Sequence, residues 1–264
     1  MANIHQTALV ADSAKIADDV TIGAFCIIEE DVTIGNGCKI CDRSTVKRYT
    51  KMGQNNVVHQ NVIIGGDPQD LNFNSEMISY TEIGDNNTFR EGFTVHRATK
   101  EGEATVIGNN NFFMVNTHVA HDCVVKNNNI LVNNAVIAGH VVLEGNCLLS
   151  GLVAVHQFCR IGRFSVISGV SATSLDIPPF CIADGRNGSI RGINLVGLKR
   201  SGVPTETIRA LKNVYKIFYR SDLNAKNSLL RIEEEYSQYP EVMEFVEFCR
   251  NSKRGVNQGR MMKR

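Results

Sequence analysis

The stretch VTIGAFCIIEEDVTIGNGCKICDRSTV, residues 20–46, repeats one pattern every six residues. Ile22, Ile28, Ile34, Ile40 and Val46 keep the beat, and Val20, Cys26, Val32, Cys38 and Ser44 each stand two residues earlier. Backward, the beat reaches Val10, Ile16 and Ile4; forward, it runs through Met52, Val58 and Ile64. It resumes at Ile83, Phe89 and Val95, then runs unbroken from Ile107 to Ile167. All 25 positions are apolar in a chain that is 43% hydrophobic, so chance does not account for them.

A period of six fits neither the 3.6 of an α-helix nor the 2 of a half-buried strand. It fits a parallel β-helix, in which each short strand turns one residue inward before the chain rounds a corner. Glycine often follows the beat, as in Ile22-Gly23, Ile34-Gly35, Met52-Gly53, Ile107-Gly108 and Ile161-Gly162. The expectation is that these glycines supply the corner's backbone angles. The slot two before the beat carries small side chains, and five of the eight cysteines occupy it: Cys26, Cys38, Cys123, Cys147 and Cys159. They read as compact buried hydrophobes, so neither disulfides nor a structural zinc site is expected.

Two segments break the rhythm: loops are expected near 65–82 and 96–106, where Glu101 falls on a beat. Pro178 and Pro179 follow the last repeats near Ser174 and are expected to close the β region. Beyond them the spacing turns helical, with Ile208, Leu211, Val214, Tyr215 and Phe218 three or four apart. Further helices are expected in 226–239 and from Pro240, a favoured first-turn residue. The organisation expected is thus a β-helix over 1–185 and a helical C-terminal domain over 186–264. The tail KRGVNQGRMMKR, with five cations and no acid, reads as a solvated end.

A net charge of +1 argues against a nucleic-acid binder. No basic-then-apolar leader and no apolar run near the roughly 18 residues of a membrane span are visible, so a cytoplasmic protein without stable membrane insertion is expected.

Chemistry is concentrated in HVAHDCVV, residues 118–125. Val119 and Val125 lie on the beat and Cys123 in the small slot, which leaves His118, His121 and Asp122 facing outward. His96, His140 and His156 are also expected on or near the outer face. A coil of three hexads takes about 18 residues, so His121 and His140 belong on adjacent coils along one edge. Three readings stay open on these grounds. A metal site needs three or four ligands converging at about 2.0–2.1 Å. A general base needs one imidazole and a carboxylate to set its tautomer. The third reading is surface histidines without a role.

The ordered motifs DPQDLNF (67–73), HVAHDC (118–123), NNAVIAGH (133–140), AVHQFCRIG (154–162), DIPPF (176–180) and NLVGLKRSG (194–202) narrow this. Together they resemble the UDP-N-acetylglucosamine O-acyltransferases among the left-handed β-helix acyltransferases, over essentially the whole chain. A hexapeptide repeat alone is widespread; the ordered set is specific. The resemblance implies a left-handed β-helix and a homotrimer with sites between subunits. It implies transfer of an R-3-hydroxyacyl chain from acyl carrier protein to the 3-hydroxyl of UDP-N-acetylglucosamine, the first step of lipid A biosynthesis, with no metal and no cofactor. Carried over by motif, His121 is the general base, Asp122 its orienter, and the Gly139 N–H an oxyanion donor. His118, His140, His156 and Gln157 line the cleft, Gln69 and Asp70 contact the sugar, and Asn194 and Arg200 contact the nucleotide. Gly169 matches the position that limits acyl length and leaves room for a long chain.

Three positions depart from the family's pattern. Asn72 stands in place of a lysine, Val196 of a glutamate and Ser201 of an arginine. These departures keep open a 3-amino sugar acceptor or an acyl-CoA donor; a zinc enzyme and an inactive scaffold are the remaining rivals. Acyl carrier protein is acidic, so a basic docking face is expected at Arg43, Lys47, Arg48 and Lys51 or at Lys199, Arg200, Arg209, Lys212 and Lys216.

Overall fold

The computed structural model describes residues 1–259 as a left-handed parallel β-helix closed by helices. Two-residue strands such as Thr21–Ile22, Ile27–Ile28 and Thr33–Ile34 fall in turn on three flat sheets of 11, 9 and 8 strands. Successive coils stack in register 18 residues apart where no loop intervenes, as in Ile22↔Ile40 and Val119↔Ile137. The beat residues from Ile22 to Ile167 point inward and are buried; Ile4, at the open end of the coil, remains 42% exposed.

The corners are not made as expected. From Phe25 on, the left-handed residue of most corners stands three after the beat and is commonly Asn or Asp: Asp31, Asn55, Asn110, Asp122 and Asn134 have φ of 55–60°. Their short polar side chains tolerate that region better than other L-residues do. Gly23, Gly35, Gly53, Gly108 and Gly162, one after the beat, lie outside the left-handed region; Gly65, after Ile64, is the exception with φ 77°. The former are required instead by close stacking, since a Cβ on Gly35 would lie 2.7 Å from the Gly53 carbonyl oxygen of the next coil.

The small inward slot also varies more than expected. In mid-coil it holds Phe93, fully buried, whose ring packs 4.9 Å from Phe89 and 4.7 Å from Phe113. Along another edge it holds a ladder of buried asparagines. Asn87 donates to Asn56 at 3.0 Å and to the Gly108 carbonyl at 2.9 Å, and accepts from Asn111. The cysteines of the slot are buried and unpaired, and burial pushes the Cys123 and Cys147 thiols up to about 12. Cys38 and Cys41 do have the C-x-x-C spacing of zinc ligands. Cys38 instead faces the core and donates to the Gly53 carbonyl at 3.1 Å, and no metal-type cluster among the described residues includes either.

The β region continues past the prolines. Cys181–Asp184 adds a parallel strand to the first sheet, and Ser189–Ile193 pairs with it antiparallel. Residue 185, the expected domain boundary, lies in the turn of this hairpin. Four helices follow among the described residues: α1 (Leu195–Arg200), which the spacing did not announce, α2 (Thr205–Arg220), α3 (Ala225–Tyr236) and α4 (Pro240–Arg250). Leu198, Leu211, Val214 and Phe245 share one apolar core with the last coils. The tail is docked as far as it is described: Asn257 is 3% exposed and donates to Thr173, and Val256 and Gly259 bridge to Asp176 and Ile190. Residues 260–264 lie outside the described residues. No helix among the described residues is long and apolar enough to cross a membrane.

Candidate active site

Along the edge of the second sheet runs a cleft of about 540 Å³, lined by His96, His118, His121, Gly139, His156 and Gln157, with Gln69 reaching in from the 67–79 loop. Its floor is the outer face of that sheet at Val136, Ala154 and Ala172.

His121 and Asp122 are consecutive, and on an extended strand their side chains would diverge. Asp122 occupies a left-handed corner, φ 58°, which breaks the alternation. The two side chains therefore meet, with His121 Nδ1 2.7 Å from Asp122 Oδ2. The Asp122 carboxylate is also held by the Thr99 hydroxyl at 2.7 Å and the Thr99 N–H at 3.1 Å, while its own N–H donates to the Thr105 hydroxyl at 2.7 Å. Burial would raise this carboxyl, but the bonds from His121 and Thr99 and the nearby His140 outweigh it and keep it below the usual carboxylate range. Asp122 thus stays ionised and accepts the His121 Nδ1–H, which leaves Nε2 as the free lone pair. Nε2 takes no protein hydrogen bond among the described residues and borders the cleft.

Gly139 sits one coil on, pressed against the His121 ring: a Cβ there would lie 2.8 Å from Nε2. Its N–H donates to no protein acceptor among the described residues, while the N–H of His140 is taken by the His121 carbonyl. A free base and a free backbone donor therefore stand side by side.

Three neighbouring imidazoles have lowered basicity, with burial the main cause in each: it pulls His96 down to about 4 and lowers His118 and His140 from the ordinary histidine range. His118 is fixed by a 2.7 Å bond to the Thr94 hydroxyl and packs edge-on against His96. His96, expected near the outer face, is only 9% exposed. His140 stacks on Phe158 and lies 3.6 Å from Asp122. His121, Asp122 and His140 also form the cluster among the described residues that could hold a metal ion, with ligand atoms within 4.8 Å of one another.

The remaining expected site residues do not converge on this cleft within one chain. Gly169 lies at a different corner, between the first and second sheets. Asn194 is buried; it caps α1 by accepting from the Gly197 N–H at 2.9 Å and donates to the Phe164 carbonyl at 2.9 Å. Arg200 ends α1 on the surface, and Asp70 turns its own loop by accepting from the Asn72 N–H. Thr99, Thr105 and the cleft residues Arg186 and Ser174 were missed. The slot position of Thr105 was a usable signal, but Thr99 and Arg186 lie in segments without repeat.

Comparison with known proteins fits this arrangement. Residues 13–48 and 104–139 match the bacterial transferase hexapeptide family, described as six repeats, and residues 176–257 match "Udp N-acetylglucosamine O-acyltransferase; Domain 2". The acyl-[acyl-carrier-protein]–UDP-N-acetylglucosamine O-acyltransferase of Thermodesulfovibrio yellowstonii is 42% identical, covering 97% of this chain and 99% of that protein. Its namesake from Aliarcobacter butzleri is 40% identical, covering 97% and 98%. The solved structure of the Francisella novicida UDP-N-acetylglucosamine acyltransferase superposes with a TM-score of 0.93 at 37% identity, covering 97% of this chain and 94% of that one. On this likeness over nearly its whole length, the chain belongs to the acyl-[acyl-carrier-protein]–UDP-N-acetylglucosamine O-acyltransferase family.

Proposed function

We propose that this protein transfers an R-3-hydroxyacyl chain from acyl carrier protein to the 3-hydroxyl of UDP-N-acetylglucosamine, the first step of lipid A biosynthesis. The observation that carries the mechanism is the Asp122–His121 pair, with Nε2 turned to a cleft beside the unengaged Gly139 N–H. His121 Nε2 takes the proton of the sugar hydroxyl as its oxygen attacks the thioester carbon. Asp122 holds the imidazole's tautomer and steadies its positive charge, and the Gly139 N–H donates to the oxyanion. Collapse of the tetrahedral intermediate expels the carrier-protein thiolate, which recovers the proton from His121. His118, His156, Gln157 and Gln69 line the path of the acceptor, and no step requires a metal or cofactor.

The working unit in this reading is a homotrimer with each site completed by a neighbouring copy. Two features support it. The cleft has an apolar side at Val136, Ala154 and Ala172, and Ile130, Leu152 and Val170, on the first sheet and the corner between the first and second sheets, are 39–73% exposed. Asp70, Gly169, Asn194 and Arg200 lie away from the cleft of their own chain, and the loop tip Leu71 projects fully exposed. For the donor, the second basic group is the better docking face. Lys47 and Lys51 are paired with Glu29 and Glu82, whereas Lys199, Arg200, Arg209, Lys212 and Lys216 make no ion pair among the described residues.

The test is mass spectrometry of the product formed from acyl-carrier-protein thioesters, with a 3-hydroxy and a 3-amino sugar nucleotide offered together. An ester of the hydroxyl acceptor is expected. A product formed solely on the amine would move the assignment to the alternative that Asn72, Val196 and Ser201 keep open. His121→Ala is expected to abolish transfer while leaving the assembly intact.

A further inference from the structure

We propose that the segment 96–99 is a bracket that positions both halves of the site: Arg97 sets the loop that carries Gln69, and Thr99 sets the Asp122–His121 pair. The inference rests on the general-base reading above. The segment leaves the coil after His96, the last residue of the strand Thr94–His96, and its backbone is tied on both sides. The Arg97 N–H donates to the Gly66 carbonyl at 2.9 Å, and the Ala98 carbonyl accepts from the Ser79 hydroxyl at 2.6 Å.

From this fixed backbone Arg97 turns into the 67–79 loop. Its guanidinium is 1% exposed and makes three directed bonds: to Asp67 at 2.8 Å, to the Met77 carbonyl at 2.5 Å and to the Ser75 carbonyl at 2.8 Å. The face of Phe73 lies 4.9 Å from it. The loop lacks a strand ladder of its own, so these bonds stand in for one, and they span the stretch that includes Gln69. The planar fork reaches three acceptors in different directions, which an ammonium cannot do.

Two residues on, Thr99 turns the other way and grips Asp122 with both hydroxyl and N–H. The carboxylate has rotational freedom that its bond to His121 alone does not remove; the Thr99 bonds lock its plane, and with it the imidazole. Positioning of this kind acts on the chemical step, because small displacements of a reacting group cost large factors in rate. Arg97 acts on a loop that touches the acceptor and not the reacting atoms, so its loss should appear in binding.

The experiment measures kcat and KM for UDP-N-acetylglucosamine in Thr99→Val, Thr99→Ser and Arg97→Lys, with melting temperature and assembly state recorded for each. Thr99→Val should lower kcat about 10-fold or more with KM little changed, and Thr99→Ser should restore kcat to within about 3-fold of the parent. Arg97→Lys keeps the charge and loses the fork; it should raise KM about 10-fold with kcat little changed. Parental kcat in Thr99→Val, failure of Thr99→Ser to rescue, or a kcat loss without a KM change in Arg97→Lys would overturn the bracket. An active His121→Ala would instead remove the general-base reading itself. Inactive His121→Ala beside a fully active Thr99→Val would remove the bracket alone.

Discussion

Replacing Gly139 by alanine tests whether the close approach of two coils is what aims the base. The added Cβ would lie 2.5 Å from His121 Cε1, 2.8 Å from Nε2 and 3.1 Å from Nδ1. Comfortable contact between such atoms begins near 3.5 Å, so the ring must retreat by about 1 Å. The ring is the end of a side chain and the coil around it is stacked in register, so the backbone has no need to move. The fold should therefore lose about 1 kcal/mol or less, a few degrees in melting temperature at most. The retreat strains the 2.7 Å bond to Asp122 and carries Nε2 away from the Gly139 N–H. A displacement of this size costs about 100-fold in rate, or about 2.7 kcal/mol in the barrier. The assay is steady-state transfer from an acyl-carrier-protein thioester, on Gly139→Ala alone and in a His121→Ala background. Acting through the imidazole, the substitution should subtract little once the imidazole is gone, since residues of one catalytic unit are non-additive. A kcat for Gly139→Ala within about 3-fold of the parent would refute the reasoning, as would a full 100-fold further loss in the double variant.

Other consequences follow from the same geometry. His96 is neutral in the fold down to about pH 4 but titrates near 6.5 when unfolded, so the unfolded chain binds the extra proton between those values. Stability should fall by up to about 3 kcal/mol as pH drops through that window; His118 and His140 act in the same direction. Urea midpoints between pH 7 and 4 should flatten in His96→Gln, and an unchanged pH dependence would contradict the burial argument. In the asparagine ladder, Asn87→Leu leaves partners on Asn56, Gly108 and Asn111 unmet. It should cost about 2–4 kcal/mol by denaturant titration, with kcat of the folded fraction unchanged. Lys212→Glu with Lys216→Glu should raise the KM for acyl carrier protein and weaken its salt dependence; an effect confined to kcat would move the docking face elsewhere.

The β-helix was legible because its core repeats. One apolar residue every six positions survives any reading frame, and it located Val119, Val125 and Cys123 inside and His118, His121 and Asp122 outside. The 19-residue spacing of His121 and His140 placed them on neighbouring coils, and their rings lie 5.3 Å apart. The corners were misread, because glycine after the beat suggested a conformational role. The stacked coils instead need room for the next coil, while Asn and Asp take the left-handed angle three positions after the beat. Thr99 and Arg97 carried no signal: they stand in an interruption, where periodicity has nothing to say about direction. The short α1 and the hairpin after Pro178 and Pro179 went unread for the same reason.

What the chain determines by itself is the inside of the molecule, since burying a repeated apolar position leaves few alternatives to a stacked coil. What only the tertiary structure decided is the direction of the polar groups. Asp122 meets its sequence neighbour because of a left-handed corner, Gly139 meets His121 because two coils 18 residues apart are stacked, and Asn194 caps a helix inside the fold. Hydrogen bonds are directional and short, so their partners are set by where the backbone ends up in space and not by spacing along the chain.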